Sequence, residues 1–328
     1  MANKRDDSMR VLITGGVFSK EKIDKLAENG IYVTLVNTRF TTTQLAILLK
    51  RFNAYINGSD EKCTRQVIEM NPHLKLIGFI GTGYQQYIDT QAANEYNIPV
   101  VYTPGANVMA VAEYTVALIL NSVKRISASN SSLRNSEWKK AQVFNLSGKT
   151  LGIVGMGKVG YQVARIMKAA FGMNILYYSV HDKPEIDSEL GANKVTLDEL
   201  FTNSDVISIH AALTPDNIHM IGKEQFSLMK KHSVLVNTAR GDLLDWDALY
   251  EALQNDQLAT FATDVYPDND QNALRNLKDT FFTLPEDKFI CTPHAAFYSL
   301  DAQLAAEDMI CESLVDVKEQ SESIRNHI

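Results

Sequence analysis

Two side chains in the second half of the chain are of the types that hold carboxylates and move protons. Arg240 lies in Asn237-Thr238-Ala239-Arg240-Gly241-Asp242, and His294 in Thr292-Pro293-His294-Ala295-Ala296. A guanidinium is a planar fork that can bind a carboxylate through two hydrogen bonds while polarising a neighbouring carbonyl. An imidazole exchanges protons near neutral pH, as a general acid or base must. Each residue type also has an ordinary structural use: Arg240 can pair at a surface with Asp242 or Asp245, and a histidine ring is often simply packed. What distinguishes the two is position. Each follows a short apolar run, Val234-Leu235-Val236 or Phe289-Ile290-Cys291, and the ends of such strands are where open parallel sheets carry their ligand groups. Asp264 follows a third run, where a carboxylate can accept from an amide or cap a loop. Gly81-Thr82-Gly83 follows a fourth and can turn its backbone N–H groups outward as an anion nest.

A second kind of site is offered by Leu151-Gly152-Ile153-Val154-Gly155-Met156-Gly157-Lys158-Val159-Gly160. An apolar run ends there in the spacing G-x-G-x-x-G and passes into a helical pattern over residues 161–170. Glycines at 155, 157 and 160 permit a tight strand-to-helix turn, backbone close to a pyrophosphate, and close packing of helix on sheet. The helix start then faces the anion with unpaired N–H groups. In this strand–turn–helix setting the spacing predicts a dinucleotide site. About twenty residues further on, where NAD enzymes carry an acid for the ribose 2′-hydroxyl, stand Ser179 and then Val180-His181-Asp182-Lys183. Nothing there repels a 2′-phosphate, and Ser179, His181 and Lys183 can contact one. The expected cofactor is therefore NAD(P), with a lean to NADP(H) and room for dual use; Asp182 swinging in towards the ribose is the alternative.

The elements that must position these groups alternate along the chain. Apolar runs at 11–13, 31–36, 54–56, 76–80 and 99–102 are separated by helical patterns at 20–29, 43–51, 62–70 and 86–96. A second series has runs at 175–178, 206–209, 234–236, 260–262 and 289–291. Strands alternating with helices imply parallel sheets with helices on both faces. The breaker cluster Thr103-Pro104-Gly105-Ala106-Asn107 precedes a long helical stretch over 108–130 that is apolar nearly all round in its first half, as a core helix or one used at an interface would be. The pattern over 300–317 predicts a final helix that folds back on the first unit to bury its stripe.

With 328 residues, 45% hydrophobic and 22% charged, the chain has the composition of a soluble globular protein of two domains. A net charge of −7 and the lack of a clustered basic patch argue against nucleic acid and acidic membrane surfaces. Cys63, Cys291 and Cys311 are widely spaced and suggest neither a disulfide framework nor a metal site. No apolar stretch is long enough to span a bilayer, and a cytoplasmic protein is expected.

Taken together, Gly81-Thr82-Gly83-Tyr84 with Ile88-Asp89, Thr103 to Asn107 with Val111-Ala112-Glu113, the glycine turn, Thr238-Ala239-Arg240-Gly241, Asp264-Val265-Tyr266 and Thr292-Pro293-His294 resemble the D-isomer-specific 2-hydroxyacid dehydrogenases. The resemblance runs in order over nearly the whole chain. It implies two Rossmann-like, doubly wound α/β domains: a flavodoxin-like substrate domain of residues 1–103 and 297–328, and a NAD(P)-binding domain of residues 104–296 inserted in it. It also implies a homodimer built on the cofactor domains, with the helical stretch after 107 reaching across.

The resemblance assigns roles as well. Arg240 would hold the substrate carboxylate and carbonyl, and His294 would protonate the carbonyl oxygen during reduction. Thr82 and Gly83 would complete the carboxylate site, and Thr238 and Asp264 would line the nicotinamide pocket. Met156, Lys158 and Val159 would cradle the pyrophosphate, and His210-Ala211 would flank the adenosine side. Aromatic residues Tyr84, Tyr102, Phe297 and Tyr298, with no basic cluster beyond Arg240, tilt the substrate towards pyruvate-like or larger apolar 2-keto acids. The family pairs its histidine with a Glu five residues after the Asp of D-V-Y, and that position is Asn269 here, between Asp268 and Asp270. An amide orients an imidazole but does not stabilise its cation as a carboxylate does. The same fold also serves nucleotide-sensing corepressors, so a binding protein with little turnover is the alternative.

Overall fold

The computed structural model describes residues 8–16, 18–267 and 277–326, with side chains to residue 320. The chain forms two compact units, Met1–Asn107 with Ser299–Ile328, and Val108–Tyr298. Their boundaries lie a few residues beyond 103 and 296.

The first unit is built on a parallel five-stranded sheet. Its strands are β1 (Met9–Thr14), β2 (Ile31–Val36), β3 (Ala54–Asn57), β4 (Leu76–Phe79) and β5 (Val100–Tyr102), in the order β2-β1-β3-β4-β5. Side chains alternate across it with period two. Leu12 packs on the face covered by Leu45, Leu49, Val67, Ile68 and Ala92, whereas Val11 and Ile13 pack with Leu26, Ile310 and Leu314. Helices α2 (Thr42–Leu48), α3 (Arg65–Glu69) and α4 (Thr90–Glu95) therefore cover one face. The other is covered by α1 (Lys20–Glu28) and the final helix, α12 (Leu300–Asn326), which closes the first unit as its apolar stripe requires.

Two helices of this unit are shorter than the pattern predicts. Cys63 leaves the helical path to form a parallel bridge with Ile88, so α3 begins after Thr64. Asp89 accepts from the Ala92 N–H at 2.8 Å and starts α4 anew, leaving Tyr84–Gln86 as a single 3₁₀ turn. In both places a side-chain cap or a bridge offered the backbone better partners than helix continuation.

The second unit holds seven parallel strands in the order β12-β11-β10-β9-β6-β7-β8. They are β6 (Thr150–Val154), β7 (Asn174–Tyr178), β8 (Asn193–Lys194), β9 (Val206–Ile209), β10 (Val234–Asn237), β11 (Thr260–Thr263) and β12 (Phe289–Cys291). Helices α5 (Val108–Lys124), α7 (Lys158–Phe171) and the short α8 (Pro184–Leu190) cover one face; α9 (Leu197–Asn203), α10 (Lys223–Leu228) and α11 (Trp246–Gln254) cover the other. The stretch expected as one helix over 108–130 is broken. Arg125 adopts φ +50 and pairs with Asp287, and the Asn121 side chain exchanges hydrogen bonds with Ser127. Helix α6 (Ile126–Arg134) then follows, with no buried residue. No helix among the described residues is long and apolar enough to cross a membrane.

At the amino ends of these strands, Asp205 is buried and ties three segments together. It accepts from the Thr150 N–H at 2.9 Å and from Lys230 Nζ and His232 Nε2, both at 3.1 Å. Burial opposes its ionisation, but these three donors outweigh burial and hold the carboxyl below its usual range. Its stabilisation is thus complete above the ordinary carboxyl value of 3.8 and is lost as pH falls through the depressed one. Asp205→Asn is expected to cost about 1–3 kcal/mol at neutral pH. Urea-unfolding midpoints of variant and wild type should differ at pH 7 and converge in strong acid.

Candidate active site

The chemistry-bearing residues of the second unit lie along one edge of its sheet, at the carboxyl ends of adjacent strands. In spatial order they are His294 beyond β12, Asp264 beyond β11, Thr238 and Arg240 beyond β10, His210 beyond β9, the glycine turn beyond β6, and Ser179 beyond β7. From β7 to β12 this edge spans five strand intervals, about 24 Å at ordinary strand spacing, enough to lay out an extended dinucleotide.

The three glycines of the turn meet different surroundings. At Gly155, with φ +98, an added Cβ would stand 2.5 Å from the Ala211 nitrogen; at Gly160 it would stand 2.4 Å from the Gly155 carbonyl oxygen. The first glycine therefore lets the turn close against the backbone of His210-Ala211, and the third lets α7 lie on β6. At Gly157 an added Cβ would meet no protein atom within 4 Å. Space is open there, at the start of α7, where Gly157 supplies no capping side chain and the first N–H groups of the helix have no intrahelical acceptor. An unfilled cradle bordered by unpaired donors fits a pyrophosphate. Met156 is buried beneath it, whereas Lys158 is exposed and Val159 half-buried.

His210 extends the crevice. Its N–H is bonded to Val154 O at 2.7 Å, and its Nε2 lies 2.8 Å from Ser208 Oγ. Burial of the ring pushes its pKa down to about 3, so it serves as a neutral polar wall. Beyond β7, Ser179 is half-buried, His181 is exposed and Asp182 is paired with Lys194.

The Arg240 turn is built by residues that carry no charge. The buried Asn237 side chain accepts from the Ala239 N–H and donates to Arg240 O, both at 2.9 Å. Trp246 Nε1 donates to Gly241 O at 3.0 Å, and its ring packs edge-on against Phe261 and Phe281. A Cβ at Gly241 would stand 2.1 Å from the Tyr266 carbonyl carbon, so only glycine lets this turn meet the D-V-Y segment. Arg240 Nη1 donates to Ala239 O at 2.6 Å.

His294 sits at φ +52, a conformation rare outside glycine, with its N–H bonded to Thr292 O at 3.0 Å. Asp264 holds that shape. Its buried Oδ1 accepts from Thr292 Oγ1 at 2.6 Å and from the Ala295 N–H at 2.9 Å, and its Oδ2 accepts from the Ala296 N–H at 2.8 Å. Asp264 thus caps the histidine loop. Phe297 stands edge-on to the His294 ring, with centroids 5.5 Å apart, and both Phe297 and Tyr298 are exposed. Asn269, with Asp268 and Asp270, lies outside the described residues.

In the first unit, Gly81 takes φ +142 and donates its N–H to Thr103 Oγ1 at 2.8 Å. It is thereby removed from the anion nest, leaving the N–H groups of exposed Thr82 and half-buried Gly83. Tyr84 stacks on Tyr102, with centroids 4.6 Å apart. Trp246 and Ser208 are not legible in the sequence as site residues, and Asn237 and Thr103 stand there only as members of their motifs. Their contribution is a hydrogen bond to a turn, and only the folded chain shows which turn.

The glycine cradle yields a sharp test. Gly157→Ala should melt as the wild type does, because its Cβ meets no protein atom, yet bind reduced dinucleotide at least tenfold more weakly by calorimetry. Gly155→Ala should lower the melting temperature itself.

A model of the NAD-binding domain of the D-isomer-specific 2-hydroxyacid dehydrogenases matches residues 116–296. The D-3-phosphoglycerate dehydrogenase of Archaeoglobus fulgidus is 35% identical over 314 residues, 94% of this chain but 57% of that protein. The chain thus spans little more than half the length of that relative. The glyoxylate reductase of Thermococcus litoralis is 33% identical over 81% of both chains. The crystal structure of the Aquifex aeolicus D-lactate dehydrogenase with NAD and lactic acid superposes with a TM-score of 0.80, at 30% identity, over 96% of this chain and 98% of that one. A family model that covers more than half of the sequence, with relatives aligned along most of its length, shows that the chain belongs to the D-isomer-specific 2-hydroxyacid dehydrogenase family.

Proposed function

We propose that the protein is an NAD(P)-dependent oxidoreductase that reduces a small 2-keto acid to the D-2-hydroxy acid. The observation that carries this reading is the shared sheet edge, on which a dinucleotide cradle, the Arg240 turn and the Asp264-held His294 occupy successive strand ends. Glyoxylate reductases among the relatives and a neighbour holding lactic acid point to the same substrate class. Bound nicotinamide supplies the hydride to the carbonyl carbon. Arg240 grips the carboxylate and polarises the carbonyl, and His294 delivers a proton to the carbonyl oxygen. Thr82 and Gly83 offer their N–H groups to the carboxylate, and Tyr102 and Tyr298 line the substrate's side chain. We read residues 1–103 and 297–328 as the substrate domain and residues 104–296 as the NAD(P)-binding domain. We also read the protein as a cytoplasmic homodimer joined through the cofactor domains, with the helical stretch over 108–130 reaching across; the exposure of Ile126, at 59%, supports this reading.

On the cofactor, the Asp182–Lys194 pair supports the lean from Ser179: the nearest acid is already engaged, and Lys183 stands beside it. We propose that both dinucleotides are used, with NADPH favoured. The test follows NADH and NADPH absorbance with pyruvate, phenylpyruvate, 2-ketoisocaproate, glyoxylate and hydroxypyruvate. Turnover of at least one is expected, falling on the order of 10²-fold or more in Arg240→Lys and in His294→Asn. Cofactor binding without turnover of any of them rejects the enzyme, and a strong NADH preference rejects the cofactor lean.

A second experiment addresses Asn269. Reduction consumes a proton held by His294, so its rate falls as pH rises and the ring deprotonates. A carboxylate at 269 favours the protonated ring, so Asn269→Glu should carry reduction to higher pH. Superimposable pH–rate profiles would reject a role for residue 269 at the histidine.

A further inference from the structure

Thr115 lies in the middle of α5, fully buried and 123 residues before Thr238. Its Oγ1 is 2.7 Å from Val111 O and 2.8 Å from Thr238 Oγ1. These two contacts fix the direction of the protons. A carbonyl oxygen only accepts, so the single hydroxyl proton of Thr115 goes to Val111 O. The proton between the two threonines therefore belongs to Thr238, which donates to Thr115.

The consequence falls on Thr238, at the end of β10 between His210 and Asp264. Its one proton points back into α5, so its hydroxyl meets any group in the crevice purely as an acceptor. Neighbouring acceptors are engaged: Asn237 Oδ1 takes the Ala239 N–H, Ala239 O takes Arg240 Nη1, and Asp264 takes three donors. On the nicotinamide ring itself, the carboxamide NH₂ is the one strong hydrogen-bond donor.

We propose that Thr115 is a positioning residue for the cofactor: by fixing the Thr238 hydroxyl as an acceptor, it selects and orients the carboxamide NH₂ of the nicotinamide. This rests on the oxidoreductase reading above. The carboxamide is joined to the ring, so holding its NH₂ on one side also sets the tilt of the ring towards Arg240 and His294.

The test uses Thr115→Val, which keeps the shape and loses the hydroxyl, and Thr115→Ser, which keeps the hydroxyl. Each is measured, by KM and by calorimetric dissociation constant, with NADH and with its 3-acetylpyridine analogue, in which a methyl group replaces the NH₂. With NADH, Thr115→Val should raise KM about tenfold, the effect of one organised hydrogen bond, and Thr115→Ser should stay within about twofold. With the acetylpyridine analogue, wild type and Thr115→Val should agree within about twofold. Equal behaviour of wild type and Thr115→Val with NADH overturns the proposal. So does a loss of the same size with both dinucleotides, which would make Thr115 a packing residue only. If the wild type turns over no keto acid, the oxidoreductase reading fails instead, and the same contrast is read from dissociation constants by calorimetry.

Discussion

The buried carboxylate of Asp264 is the interaction on which the His294 loop depends. It has no cation beside it in its hydrogen-bond set; its partners are one hydroxyl and two backbone N–H groups. A carboxylate taken from water is tolerated only when such donors converge on it. Convergence here requires β11 and β12 to end in register, with Thr292, Ala295 and Ala296 curled around the acid. His294 lies inside that curl, and its positive φ is the cost of passing between the donors. The histidine is therefore placed by the need to satisfy a charge one strand away.

Sterics do the same work at the other end of the edge. Gly155 and Gly160 remove two Cβ atoms that would overlap backbone, at Ala211 and at Gly155 itself. That overlap is absent at Gly157, where the missing Cβ leaves open space instead. Three glycines in one motif thus answer two different demands, close packing within the protein and room for a ligand. Gly241 adds a third close approach, seating the Arg240 turn on the backbone of Tyr266. Between these ends, α5 packs under the sheet and reaches β10 through Thr115, so a core helix also touches the polar edge.

Much of this was legible in the sequence. Alternating apolar runs and helical patterns gave two parallel α/β units, because a buried parallel strand must be apolar and each crossover must bring a helix. The glycine spacing located the strand-to-helix turn, and the residues after each run located the strand ends on which the candidate site lies. Local competition was harder to see. Arg125 in the left-handed region, the Cys63–Ile88 bridge and the Asp89 cap each interrupted a helix whose composition favoured continuation. Their partners are distant in sequence or are set by a single side-chain rotamer.

The sequence by itself determined the fold class, the family and the identities of the groups able to do chemistry, since these follow from residue type and short-range spacing. Only the tertiary structure decided what each group is bonded to. It turned Asp264 inward to the histidine loop, took the Gly81 N–H for Thr103, made His210 a neutral wall and joined Thr115 to Thr238. The physical reason is that a hydrogen bond's direction and a side chain's burial depend on atoms brought close by the packing of strands and helices. Spacing along the chain carries no record of them.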